Sequence, residues 1–159
     1  MPAQVYKGGK FYIGSAPVNA DLTQSGYEAV TWVEVGNVVT TPGMGVTDNM
    51  ISQAYLDTDV SQWQKGIASA TEGELVVGYD PDDAGQEDMI AAAAARTFWP
   101  FKSELSDSPN PATTTNTIRY TWGLVGSGGD AGGAVEDFVN LTFALRFNQR
   151  PIWVAPEAI

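Results

Sequence analysis

Residues 139–148, VNLTFALRFN, alternate apolar and polar side chains almost without a break. Val139, Leu141, Phe143, Leu145 and Phe147 fall on one face of an extended chain, and Asn140, Thr142, Ala144, Arg146 and Asn148 on the other. A repeat of two residues fits a strand with one dry and one wetter face, and does not fit a helix. The same period recurs three times. In 27–40, Val33 and Val35 oppose Trp32 and Glu34; in 67–79, Ile67, Ser69, Thr71, Leu75, Val77 and Tyr79 oppose Ala70, Glu72, Glu74 and Val76. In 117–126, Ile118, Tyr120, Trp122 and Leu124 oppose the polar set Thr117, Arg119 and Thr121. Lys10–Gly14 is a further short apolar run ended by glycine, and Gly36 marks a bulge. Alternation, in place of continuous apolar runs, implies antiparallel sheets. Two packed sheets or a barrel bury such strands economically. The 159 residues have the length of one domain, 1–159.

Two segments break the pattern. The stretch 78–96, GYDPDDAGQEDMIAAAAAR, packs acids around a glycine before five alanines. Read as a calcium loop from Asp80, it places Asp82 and Gly85 correctly, but Ala84 and Ala91 stand where oxygen ligands are required. Read as a helix start, it has Asp82 or Asp83 to cap free N–H groups, Glu87 and Asp88 at the positive end of the dipole and Arg96 at the negative end. The sequence therefore predicts one helix over 83–98, with Ile90, Ala94 and Phe98 as its buried stripe. TFWPFKSEL after it is aromatic and broken by Pro100. The other segment, 41–66, has no sustained period and reads as a long loop, well beyond the roughly 12–15 residues usual in a compact domain. It carries Met44, Met50, Ile51, Tyr55, Leu56 and Trp63, too apolar for a disordered linker. Such a loop must fold onto its own domain or bury itself in a partner. The fold class is thus mainly β: an antiparallel sandwich or barrel with one flanking helix and one long loop.

The chain has no cysteine and no histidine, which removes disulfides, thiolate metal sites, Ser-His and Cys-His nucleophile pairs and most zinc sites. No metal and no cofactor are expected. Gly126, Gly128 and Ala131 have dinucleotide-fingerprint spacing, but a strand follows them where the motif needs a helix. Glu72 and Glu74, on one strand face about 6.6–6.8 Å apart, match an inverting glycosidase pair in spacing alone. No catalytic residue is assigned. No leader and no membrane span are expected, since no stretch approaches 18 apolar residues. The net charge is −11, and residues 21–100 hold 13 acids against Lys65 and Arg96. An acid-rich surface repels nucleic acid and anionic lipid.

The order of elements now carries information. A strand ends in WVEVGNVVTTPGMG; the long segment holds Asp48 and exits through Gln64-Lys65-Gly66; a strand ends in YDPDDAGQ before a helix; a glycine-rich tip leads into the last alternating strand. Over roughly 11–154 this resembles the major tail tube proteins of long-tailed bacteriophages. The resemblance implies a non-enzymatic virion protein, assembled in the host cytoplasm, whose hexameric rings stack into a tube. Its partners would be copies of itself, a tape-measure protein and a tail terminator, with DNA passing through unbound. It also implies that the long segment contacts neighbouring subunits, through Met44, Asp48, Met50, Ile51, Tyr55, Leu56 and Trp63. The acidity then suits a lumen along which DNA slides, and the polar faces at Glu72, Glu74, Asn140 and Thr142 are its candidate lining. Arg119 and Arg146, also on polar faces, would pair with acids of a neighbouring subunit. The alternative is an acidic β-sandwich that binds carbohydrate, as in a fibre, for which five tryptophans would supply stacking platforms.

Overall fold

The computed structural model describes residues 7–127, 129–130 and 132–159. Among them, β1 (Lys10–Gly14) leads through a five-residue helix, α1 (Gln24–Glu28), to β2 (Trp32–Val35) and β3 (Val38–Thr40). A hairpin follows, β4 (Val46–Gln53) and β5 (Gln62–Ala70), then β6 (Glu72–Gly78) and α2 (Ala84–Ala94). The rest is β7 (Trp99–Glu104), β8 (Ile118–Val125), the two-residue β9 (Gly129–Asp130), β10 (Asn140–Phe147) and β11 (Ile152–Val154). Every pairing is antiparallel, in the order β2-β1-β7-β8-β10-β6-β3; β11 adds to β8 and β9 to β10, while β4-β5 stands apart as its own sheet.

Strand β8 belongs to both layers of a sandwich. It pairs with β7 along Ile118–Gly123 on one side; on the other it pairs with β11 at 118–120 and then with β10 at 123–125. At the changeover a Cβ on Gly123 would lie 1.9 Å from the Arg146 carbonyl oxygen, so only glycine lets the two strands cross this closely. Between the layers lie Phe11, Ile13, Val35, Phe101, Leu75, Val77, Val125, Phe143, Leu145 and Phe147, with Met44 and Met89. Each large side chain so buried is worth about 1.5–3 kcal/mol.

The two ends of the strand order, β2 and β3, are neighbours in sequence, joined by Gly36 and by Asn37 at φ 54°. The sandwich does not close into a barrel, and α2 seals this seam instead. The Asp83 carboxylate caps the helix by accepting from Gln86 N and also accepts from Gly36 N. The buried Gln86 amide donates to the Gly36 and Gly78 carbonyls and accepts from Asp80 N, tying both layers together. Gly85 lies against the β2 backbone, where a Cβ would be 2.0 Å from the Glu34 oxygen. The acid-rich stretch is thus a seam closure: Asp83 is the cap, and Asp80 folds its own turn by accepting from Asp82 N.

The helix is shorter than the predicted 83–98, and its buried stripe is different. Gly85, Gln86, Met89 and Ala92 face inward, while Ile90 is exposed. A run of alanines makes all faces alike, so the anchors at Gly85 and Gln86 choose the register. Phe98 lies beyond the helix and packs edge-on against Trp122 at 5.2 Å. There it joins a second cluster on the outer side of β8: Tyr27, Tyr120 and Trp122, covered by Val18, Leu22 and Trp32 from the segment that carries α1. Residues 27–40, read as one strand, begin in that helix because Tyr27 stacks on Tyr120 at 5.3 Å. Burial, and then the Asp21 carboxylate, push the Tyr27 hydroxyl well above its ordinary range. Burial, and then Glu104 and Glu34, push Tyr12 up to about 12. Pro100 does not break its segment: it sits in β7 just past the β1 ladder, which ends at Ile13–Phe101, so its missing donor falls at the end of the pairing.

Candidate functional site

Residues 41–66 are not a structureless loop. Most of them form the β4-β5 hairpin, whose ladder runs from Val46–Ala70 to Gln53–Gln62 with a register shift between Asp48 and Met50. The shift hid the strands from a period-of-two reading, because an extra residue in one strand moves its following side chains to the opposite face. Likewise 67–79 is two strands, broken at Thr71: its first residues belong to the hairpin and the rest to the sandwich.

Beyond the shift, the apolar side chains of the hairpin are exposed. Met50 and Trp63 share one face through the pairings Met50–Lys65 and Ser52–Trp63, and Ile51 takes the other. Tyr55 and Leu56 open the turn, and Leu56 is fully exposed at 110%. Val60 and Ile67, which the sequence reading did not assign to this surface, extend it. Ile67 continues an alternation whose inner members are buried, so the period alone does not show that it points to solvent. Met44 differs from the other predicted contact residues: it is 6% exposed and packs in the core between the sheets. Asp48 is at the base of the hairpin, with Lys65 Nζ 3.6 Å and Arg150 Nη2 3.8 Å from its carboxylate. Arg150 precedes β11, so this pair ties the hairpin to the body.

The predicted lining residues do share one surface. The β6-β10 register sets Asn140 opposite Gly78, Thr142 opposite Val76, Ala144 opposite Glu74 and Arg146 opposite Glu72, with the core residues Leu75, Val77, Phe143 and Leu145 on the reverse side. Arg146 pairs with Glu72 of its own chain at 3.0 Å. Both are well exposed, and such a pair contributes at most about 1 kcal/mol. Arg119 is not on a polar face. It lies in the row Phe11–Ser103–Arg119–Trp153 across the sheet and is buried.

A second apolar surface was not foreseen. Exposed Val39, Tyr79, Phe138 and Val139 surround a cavity of about 690 Å³ at the Gly78–Asn140 end of β6 and β10, away from the hairpin base at Glu72 and Arg146. In the glycine-rich tip, Gly129 and Asp130 pair with Thr142 and Leu141, while Gly128 and Ala131 lie outside the described residues. Among the described residues no cluster of acids is arranged to hold a metal ion, and no helix is long and apolar enough to cross a membrane.

No protein-family model and no curated protein matches the chain. Solved structures do match it. Over 92% of its length the chain superposes on 76% of a chain of the SPP1 tail tube, with a TM-score of 0.64 at 14% identity. Over 92% it also superposes on 91% of a chain of the anti-feeding prophage (AFP) baseplate, with a TM-score of 0.56 at 10% identity. At these identities the likeness is one of fold.

Proposed function

We propose that this protein is a structural subunit of a phage tail tube, whose copies form hexameric rings that stack into a conduit for DNA. The observation that carries the reading is the hairpin: a two-stranded sheet with exposed apolar side chains on both faces and, beyond its base, no second layer among the described residues. A two-stranded hairpin is marginal alone in water. Exposed apolar area of this kind marks a protein contact. Copies of the same chain are the partner that the shared tail-tube fold favours. A hairpin on one copy meeting a different surface on the next is a heterologous contact, which closes into rings or runs on as a filament. In this reading Met50, Ile51, Tyr55, Leu56 and Trp63 join copies, Asp48 orients the hairpin, and Glu72, Glu74, Asn140 and Thr142 line the channel. Screened repulsion over about 8 Å keeps DNA from adhering to the acids. A tape-measure protein inside the tube and a terminator at its end complete the tail, and the role needs no catalysis.

The test is assembly of the purified chain, followed by light scattering and negative-stain microscopy. Rings or tubes are expected. Replacing 50–65 with an Asn-Gly turn should leave a folded monomer by circular dichroism and abolish them. A wild-type chain that stays monomeric at high concentration, or tubes that survive the replacement, would overturn the reading.

A further inference from the structure

Arg119 is 3% exposed, yet its charge has no counterpart in the chain. Its Nη2 donates to the Ser103 hydroxyl at 3.1 Å, and its Nε has no partner. The ion pairs among the described residues are Lys65–Asp48, Arg146–Glu72 and Arg150–Asp48. The undescribed positions 1–6, 128 and 131 contain no Asp or Glu, so no side-chain carboxylate of this chain is missing from that account. A buried guanidinium without an acid is costly, and an apolar side chain of the same length would serve an isolated subunit better.

The surroundings show where an acid would enter. The guanidinium carbon lies 5.1 Å from the Trp153 ring, whose π-face holds the cation in the lone subunit. Trp153 is 57% exposed and belongs to β11, a three-residue strand that pairs only with β8 among the described residues. An incoming carboxylate would reach Arg119 by displacing this exposed indole, and would then meet Nε–H and the Ser103 hydroxyl. That arrangement offers two donors to one carboxylate.

We propose that Arg119 is the receptor for a carboxylate delivered by a second copy of this chain, from Asp57 or Asp59 in the hairpin turn. The inference rests on the self-assembly reading and supplies the residue that receives the hairpin. Charge complementarity selects the donor. Asp57 and Asp59 are exposed and form no ion pair among the described residues, whereas Asp48, the other acid of the hairpin, already holds Lys65 and Arg150. Tyr55 and Leu56 adjoin them and bring apolar surface to Trp153.

The experiment compares the assembly threshold and the subunit melting temperature of the full chain with those of Arg119→Met, Asp57→Asn/Asp59→Asn and the triple variant. Arg119→Met should melt higher than wild type as a subunit but assemble only at a concentration at least tenfold higher. The asparagine pair should shift the threshold similarly with no change in melting. The triple variant should be no worse than either parent, because all remove one contact. Unchanged assembly by Arg119→Met, or effects that add in the triple variant, would overturn the proposal. Should Arg119→Met fail to fold, unchanged assembly by the asparagine pair overturns it alone. A wild type that never assembles sinks the tube reading as well, so the two failures are distinguishable.

Discussion

Strands β10 and β5 are of nearly equal length, and both mix aromatic and aliphatic residues with polar ones. In β10, Phe143 is 1% exposed; in β5, Trp63 is 65% exposed. Both segments are extended and paired antiparallel, but β10 has ladders on both sides, to β6 and to β8 and β9, whereas β5 pairs only with β4 among the described residues. A further difference is the second layer: β10 lies across from β1 and β7, whereas β5 is exposed along most of its length, with Ala70 at its base packed against the core. The difference teaches that an extended amphipathic strand settles its hydrogen bonds within one sheet but leaves its apolar face to whatever packs on it, whether that lies in the same chain or elsewhere.

The comparison can be broken most sharply in the core. Phe143→Ala should cost about 3–5 kcal/mol of folding stability, measured by chemical denaturation, because the surrounding layers cannot collapse onto the space left behind. Alkali probes the body next. Tyr27, Tyr12 and Tyr120 all have hydroxyls raised above 10.0, with burial the largest cause. A group that holds its proton more tightly when folded contributes its full stabilisation below the unfolded value and loses it as pH rises through the folded one. Stability should therefore fall above pH 10, and Tyr27→Phe should flatten that fall. Lys102, lowered chiefly by burial, has the opposite sign and gains stability as pH rises toward its unfolded value of 10.5. The smallest effect belongs to the hairpin: Trp63→Ala should change subunit stability by no more than about 0.5 kcal/mol. A loss as large as that of Phe143→Ala would mean that the hairpin does have a layer within its own chain, and the contrast would fail.

Legibility in the sequence follows the same division. The strand at Asn140–Phe147 was readable because its faces differ in polarity and the layers match that difference; Lys10–Gly14 was readable as an apolar run ended by glycine, and Ile118–Val125 from its alternation, although both of its faces are buried. Period two puts Glu72 with Glu74 and Asn140 with Thr142 on one face of each strand, but only the β6-β10 pairing brings the two pairs onto one surface. The hairpin was not readable, because its register shift interrupts the period and its two apolar faces give no contrast. The facing of α2 was hidden by its alanines and fixed by Gly85 and Gln86, which meet Glu34 and Gly36 far back in the sequence. Arg119 looked like a surface residue because its neighbours Thr117 and Thr121 are polar. Thr121 is buried as well, its hydroxyl donating to the Gln149 carbonyl, so polarity along β8 does not report exposure.

Because β8 serves both layers, they are joined by covalent bonds as well as by packed side chains. Tension applied to either layer passes along one continuous backbone into the other, and sliding the layers apart means tearing ladders from both sides of that strand. A subunit wired in this way would keep its shape under a pull on the projecting hairpin.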